Sequence, residues 1–244
     1  KLPFYHSFAG KTVDPAIELA EMLIAHAPPA AGKGRMSKVF FAASGSEAND
    51  TAMKMVWYYN AALGRPEKRK IISRKKGYHG VTMAAASMTA LAYAQDGFGL
   101  PLDFVKHTTA PDYYNVAQPG ESEDQFASRC ADELEALILA EGPDTVAALF
   151  AEPVMGAGGV IIPPKNYFAK IRAVLEKYDV LLVADEVICG FGRTGNMWGS
   201  QTMDARPDML TCAKALSSAY LPISAVMMSD IVYAPLAEQA ERLG

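Results

Sequence analysis

The chain has 244 residues, half of them hydrophobic, and a formal net charge of −4. That length allows one large domain or two small ones with a sizeable core. The mild acidity argues against nucleic acid or an anionic membrane as partner.

Cys130, Cys189 and Cys212 show no C-x-x-C spacing and read as reduced thiols of a cytoplasmic protein. No signal peptide is visible, and no apolar run approaches the roughly 18 residues of a membrane span. No metal site is expected. The sequence runs from Lys1 to Gly244 and reads as a piece of a longer polypeptide. No linker divides it.

Residues Leu2 to Phe8 are apolar and aromatic without a clear period. Asp14 then opens a helix, with Pro15 at its first position, and Pro28 and Pro29 end it. Val39 to Ala42 predicts a short strand. After Ser44-Gly45-Ser46-Glu47, the spacing of Ala48, Ala52, Met55, Val56 and Tyr59 predicts a helix with one buried face. Lys70 to Ser73 is a strand candidate within the basic run Lys68 to Lys76, whose charges read as flanks of that strand.

Thr82 to Ala90 is small and weakly patterned, and Asp96 to Gly120 is loop-rich with a strand around Phe104. Glu121 to Ala140 predicts a helix stopped by Gly142-Pro143. A strand, Thr145 to Ala151, runs into Glu152-Pro153 and a glycine-rich loop, and Asn166 to Tyr178 predicts another helix. From Val180 an apolar run with no alternation leads into Asp185, as in a strand buried on both faces of a parallel sheet. Strand, helix, strand in that order is a right-handed βαβ unit of an α/β fold.

Four places could carry chemistry. Ser44-Gly45-Ser46 joins a strand end to a helix start. There, free N–H groups and the helix dipole favour a phosphate, or Ser44 and Glu47 form a capping box and bind nothing. Tyr78-His79, between Gly77 and Gly80, offers a ring that can stack on a flat ligand. Asp185 stands at the carboxyl end of its strand, where open α/β sheets bind ligands. An acid there can keep a pyridine nitrogen protonated, as pyridoxal phosphate chemistry requires, or hold Mg²⁺ in a nucleotide hydrolase. Lys214, among small and apolar neighbours, reads as a desolvated amine able to attack a carbonyl, or as a snorkelling surface lysine.

The hydrolase reading has one further support, Gly10-Lys11-Thr12, which resembles the end of a P-loop. The pattern needs a glycine at position 5, and Tyr5 stands there.

Together these signals are the parts of a pyridoxal 5'-phosphate site. The chain resembles the class III aminotransferases, in particular their ω-transaminase (amine:pyruvate transaminase) branch. The resemblance lies in LPFYHSF (2–8), SGSEAND (44–50), GYHG (77–80), EPVMGAGGVIIPP (152–164), DVLLVADEVICGFGRTG (179–195) and AKALSSAYLPISAV (213–226).

It implies that residues 1–244 form most of the PLP-binding large domain of a fold-type I enzyme. That domain is a three-layer αβα fold, with a mixed, mostly parallel sheet between helix layers. The family's N-terminal segment and C-terminal small domain lie outside this sequence.

For the site it implies Lys214 as Schiff-base lysine and proton shuttle, and Asp185 on the pyridine nitrogen. Val187 and Tyr78 would lie on the two ring faces, and Gly45 and Ser46 on the phosphate, with His79 and Glu152 behind them. It also implies Phe4, Tyr5 and Phe8 at the substrate pocket, reached from the neighbouring subunit of a homodimer, and Ala157 at the pocket wall. The implied reaction moves an amino group from an amine or ω-amino acid to a keto acid such as pyruvate. Ornithine or γ-aminobutyrate transamination, an aminomutase and a decarboxylase are the alternatives on the same scaffold.

Overall fold

The computed structural model describes residues 10–32 and 34–243. Helices are α1 (Asp14–Ala25), α2 (Gly45–Ala62), α3 (Met83–Met88), α4 (Ala92–Gln95), α5 (Tyr113–Val116), α6 (Glu123–Glu141), α7 (Tyr167–Lys177), α8 (Gly199–Thr202) and α9 (Asp230–Leu243). Strands are β1 (Met36–Ala42), β2 (Lys70–Arg74), β3 (Val105–Thr108), β4 (Val146–Ala151), β5 (Leu181–Asp185), β6 (Met209–Cys212) and β7 (Ser224–Ser229). The strands form one sheet in the order β1-β7-β6-β5-β4-β2-β3. Pairing is parallel from β3 through β2, β4 and β5 to β6, and antiparallel on both sides of β7.

The centre of the sheet is buried on both faces, which is why its strands read as unbroken apolar runs. In β4, Phe150 packs towards Ala52, Met53 and Val56 of α2, while Leu149 packs towards Phe126 and Ile138 of α6. Successive strand residues point to opposite faces, so one apolar hexapeptide serves two helix layers. α2 and α9 cover one face, and α6 and α7 the other. This is the three-layer αβα arrangement. Truncating Phe150, which is fully buried, would cost about 3–5 kcal/mol.

The helix starts follow local chemistry. Ser122 and Gln125 form a reciprocal capping box on α6. At α2, Ser44 Oγ accepts from Glu47 N at 3.1 Å, and the Glu47 carboxylate takes Ala43 N at 2.8 Å.

The basic run does flank β2, with Arg69 and Lys75 exposed, but two of its cations are buried. Arg74 is fully buried with its guanidinium donating to the Glu152 carbonyl, and Lys68 is buried with Nζ donating to the Tyr178 carbonyl. These cations cap carbonyls left open where neighbouring strands and helices end. The small-residue stretch after Thr82 is a helix, α3, whose Ala85, Ala86 and Met88 are core residues.

Topology decides what meets what. β7 runs against β6 and β1 runs against β7, so β1 points the same way as β6. The carboxyl ends of β1, β2, β4, β5 and β6 therefore open on one edge of the sheet. Each strand delivers one candidate segment there: Ser44–Ser46, Tyr78–His79, Glu152, Asp185–Val187 and Lys214.

Candidate functional site

These segments enclose a cavity of about 280 Å³. Its lining includes Gly45, Ser46, Tyr78, His79, Glu152, Asp185, Val187 and Lys214. Residues more than a hundred positions apart are brought together because parallel strands share one exit edge. Ala157 lies elsewhere, exposed on the loop after Glu152 and outside this lining. Phe4, Tyr5 and Phe8 lie outside the described residues.

Asp185 ends β5 and is 3 % exposed. A buried carboxylate needs partners. It has three donors: His79 Nδ1–H on Oδ2 at 2.8 Å, Asn49 Nδ2–H on Oδ2 at 2.8 Å, and Val187 N–H on Oδ1 at 3.1 Å. The network sets the His79 tautomer, with the proton on the nitrogen that faces the acid.

Behind it, Glu152 Oε1 accepts from Tyr78 N at 3.1 Å and Oε2 from Gly156 N at 2.9 Å. Burial pushes the Glu152 carboxyl up, against the opposing pull of His79, and the negative charge of Asp185 adds to the rise. Thr89 Oγ1 accepts from His79 N at 2.8 Å and fixes the backbone of the Tyr78–His79 turn.

One end of the cavity is the first turn of α2, an 18-residue helix whose N-terminus could take an anion. Ser44 satisfies Glu47 N, while Gly45 N and Ser46 N have no acceptor among the described residues. The Ser44 cap takes one amide and leaves two for a ligand, while the Glu47 carboxylate turns to Ala43 N, so the reciprocal box on Ser44 N does not close. Ser46 Oγ accepts from Val81 N at 3.0 Å, which keeps the hydroxyl proton available. Close packing is enforced by glycine. A Cβ on Gly80 would stand 2.4 Å from Ser46 Oγ, and one on Gly45 would stand 3.1 Å from Val187 Cγ2.

Lys214 departs from its expected environment. It lines the cavity but is exposed, not desolvated. It sits on a 3-10 turn just beyond β6, at left-handed φ 44°, and the residues that follow it in chain order are half-buried or exposed. Of the small neighbours that suggested burial, Ala215 and Ser218 are themselves exposed and do not cover the amine.

Asn49 and Thr211 went unread in the sequence. Each is a polar residue on an apolar element, Asn49 among Ala48, Ala52 and Met53 of α2 and Thr211 between Leu210 and Cys212 of β6. A polar side chain at a position whose neighbours are all core was the available signal. The P-loop reading gains nothing, because Gly10–Thr12 lie outside the cavity lining.

Comparison with known proteins agrees with this geometry. The family described as Aminotransferase class-III matches residues 3–241. The chain is 54% identical over 243 residues to gamma aminobutyrate transaminase 1, mitochondrial, of Solanum lycopersicum, covering 100% of this chain and 46% of that protein. It is 54% identical over 244 residues to probable gamma-aminobutyrate transaminase 2, mitochondrial, of Oryza sativa subsp. indica, covering 100% and 48%.

Among solved structures, a transaminase with L-ala superposes at TM-score 0.95 with 58% identity, over 100% of this chain and 56% of that one. The omega transaminase from Pseudomonas jessenii in complex with PMP superposes at 0.95 with 56% identity, over 100% and 52%. The chain spans about half the length of these relatives.

Proposed function

The chain belongs to the class-III aminotransferase family, and we propose that it forms the cofactor-binding large domain of a transaminase. Its family uses pyridoxal phosphate. In the reaction we propose, an amine or ω-amino acid gives its amino group to a keto acid such as pyruvate. Over the cycle the donor's C–N becomes C=O and the acceptor's C=O becomes C–N. Two electrons travel with the amino group, so no external oxidant is needed.

When bound, the cofactor supplies an electron sink for the carbon bearing the amino group and carries that group between the half-reactions. The residues present fit it. Free amides of Gly45 and Ser46 at a long helix's N-terminus suit a phosphate. Asp185, surrounded by donors and open to the cavity, suits a protonated ring nitrogen. Val187 and Tyr78 supply flanking surface for a flat ring.

The working group is Lys214. Its Nζ takes the proton from the donor carbon and, within the same half-reaction, hands it to the cofactor; in the second half-reaction it runs the transfer in reverse, ending on the acceptor carbon. Its exposed position in the lining gives the amine room to swing.

One observation carries this reading: Lys214 and Asp185 line the same cavity, beside the first turn of α2. Lys214→Ala in the full-length enzyme tests it. The expected result is loss of turnover and of the absorbance change on adding amine. Retained transamination would overturn the proposal.

Resemblance to proteins named γ-aminobutyrate transaminases, at 54% identity, favours a second donor class. Initial rates with γ-aminobutyrate, ornithine, β-alanine and 1-phenylethylamine separate the readings.

A homodimer belongs to the same proposal. It is supported by exposed apolar side chains near the cavity, with Val81 76% and Tyr220 89% exposed, and light scattering of the full-length protein tests it. The three buried free cysteines support a reducing compartment, for which we propose the cytoplasm, tested by fractionation. No membrane or nucleic acid partner is proposed. Among the described residues no helix is long and apolar enough to cross a membrane.

A further inference from the structure

Asn49 is fully buried in α2 and touches three other parts of the site. An amide side chain has two N–H donors and an oxygen with two lone pairs. Both donors are used: Nδ2 donates to Asp185 Oδ2 at 2.8 Å and to the His79 carbonyl at 2.7 Å. The oxygen accepts from Thr211 Oγ1 at 2.8 Å. Thr211 lies on β6 directly across from Asp185 in the sheet register and three residues before Lys214.

These partners permit a single orientation of the amide. A flip would turn Asn49 Oδ1 onto the Asp185 carboxylate and the His79 carbonyl, setting acceptor against acceptor in a dry environment. The two acceptors thus decide which way the amide faces, and the Thr211 hydroxyl, bonded to its other end, holds it in place, so that the Asn49 amide transmits the hold to Asp185. With His79 Nδ1 on the same oxygen and Val187 N on the other, the carboxylate is fixed from three directions. Its remaining lone pairs are what the cavity sees.

We propose that Asn49, locked by Thr211, is a positioning residue that holds Asp185 as an acceptor-only carboxylate turned towards the ring nitrogen of the bound cofactor. This rests on the pyridoxal phosphate reading of the site. It adds a determinant of the cofactor's protonation that lies out of reach of the cofactor itself, and it ties the lysine-bearing strand to the acid-bearing one. Asn49 and Thr211 lie outside the cavity lining, so their effect must appear through Asp185.

The test uses the full-length holoenzyme with four variants: Thr211→Val, Thr211→Ser, Asn49→Leu and Asn49→Asp. Two quantities are read on the cofactor-loaded fraction, kcat and the pH midpoint of the bound cofactor's absorbance. Thr211→Val removes the lock at nearly constant volume. It is expected to lower kcat about tenfold, with KM unchanged, and to move the midpoint by about one pH unit, the scale of one ordinary hydrogen bond.

Thr211→Ser keeps the hydroxyl and is expected to restore both values. Asn49→Leu should match or exceed Thr211→Val. Asn49→Asp, which sets a second carboxylate against the first, should be the worst of the four. If an Asn49 variant fails to fold, the Val and Ser pair at position 211 still decides.

Variants that lose melting temperature and cofactor content, yet keep the wild-type midpoint and kcat once loaded, would overturn the proposal by showing a structural role alone. Failure of the underlying reading looks different: Lys214→Ala would keep transaminating, whatever the Thr211 variants do.

Discussion

His79 Nδ1 stands 2.8 Å from Asp185 Oδ2, and both side chains are buried. The pair joins the loop after β2 to the end of β5, so the Tyr78–His79 turn and the acid are tied together. Asp185→Asn keeps the shape but gives one face of the side chain N–H groups where only lone pairs are wanted. At least one of His79, Asn49 and Val187 then loses its acceptor. A buried donor left unmet costs about 1–3 kcal/mol. Removing a preorganised charge aimed at the reacting system typically costs about 10²–10³-fold in kcat. Urea unfolding and steady-state rates on the same protein should show both losses together.

How far the site could be read ahead of the structure depends on how local each signal is. The Asp185 strand was legible because burial on two faces leaves a continuous apolar run, and the acid ends it abruptly. The helix after Ser44 was legible from its cap and its period. Lys214 was legible as a position but not as an environment: small neighbours in sequence suggested burial, while its exposure is set by which side of the β6 turn faces the cavity.

A local rule could flag Asn49 as a polar residue on a buried helix face, but it could not name its partners. Its partners Asp185 and Thr211 lie 136 and 162 positions away, and only the shared strand edge brings them together. β6, β7 and α9 carry few local punctuation signals, and the antiparallel turn of β7 within a parallel sheet is a property of pairing, not of composition.

The glycine at position 80 is a sharper test of the same edge. Its φ is +134°, where side chains other than glycine are strained, and an added Cβ would stand 2.4 Å from Ser46 Oγ and 2.9 Å from Ser46 Cα. Gly80→Ala should therefore destabilise the protein by about 1–3 kcal/mol and weaken cofactor binding, because relief requires the loop to leave α2. Gly97→Ala is the control. Its φ is also positive, at +81°, but nothing lies within 4 Å of the added Cβ, so strain alone should cost about 1 kcal/mol without touching cofactor affinity. Thermal melts and cofactor titrations of both variants make the comparison.

The cysteines give a chemical readout of the fold. Burial pushes the thiols of Cys130, Cys189 and Cys212 each up to about 12. A thiol must ionise and be reached before it is alkylated. In the native protein at pH 8, iodoacetamide should therefore label none of the three, and in denaturant it should label all of them. Mass spectrometry of the two samples checks this. A native cysteine that reacts within minutes would place its segment outside the core described above.

The adjacent acid, Glu186, should respond to pH. Its carboxylate is buried, with Oε2 accepting from Gly199 N at 2.9 Å and Oε1 from Ser200 N at 2.7 Å. Burial pushes its carboxyl up, and these N–H groups offset only part of the rise. For an acid whose folded value is raised, the folded state favours the proton. The resulting stabilisation is full below the unfolded value of about 4.3, and it is lost as pH rises through the folded value. Glu186→Gln cannot titrate. It carries a fixed penalty instead, since one of the two N–H groups must face its amide N–H₂. The stability of the wild type relative to Glu186→Gln should therefore fall as pH rises from about 4.5 to about 8, the window above that unfolded value. Urea unfolding of both proteins at the two ends of this window measures the difference. A difference that stays constant with pH would mean that helix α8 holds the carboxylate charged throughout.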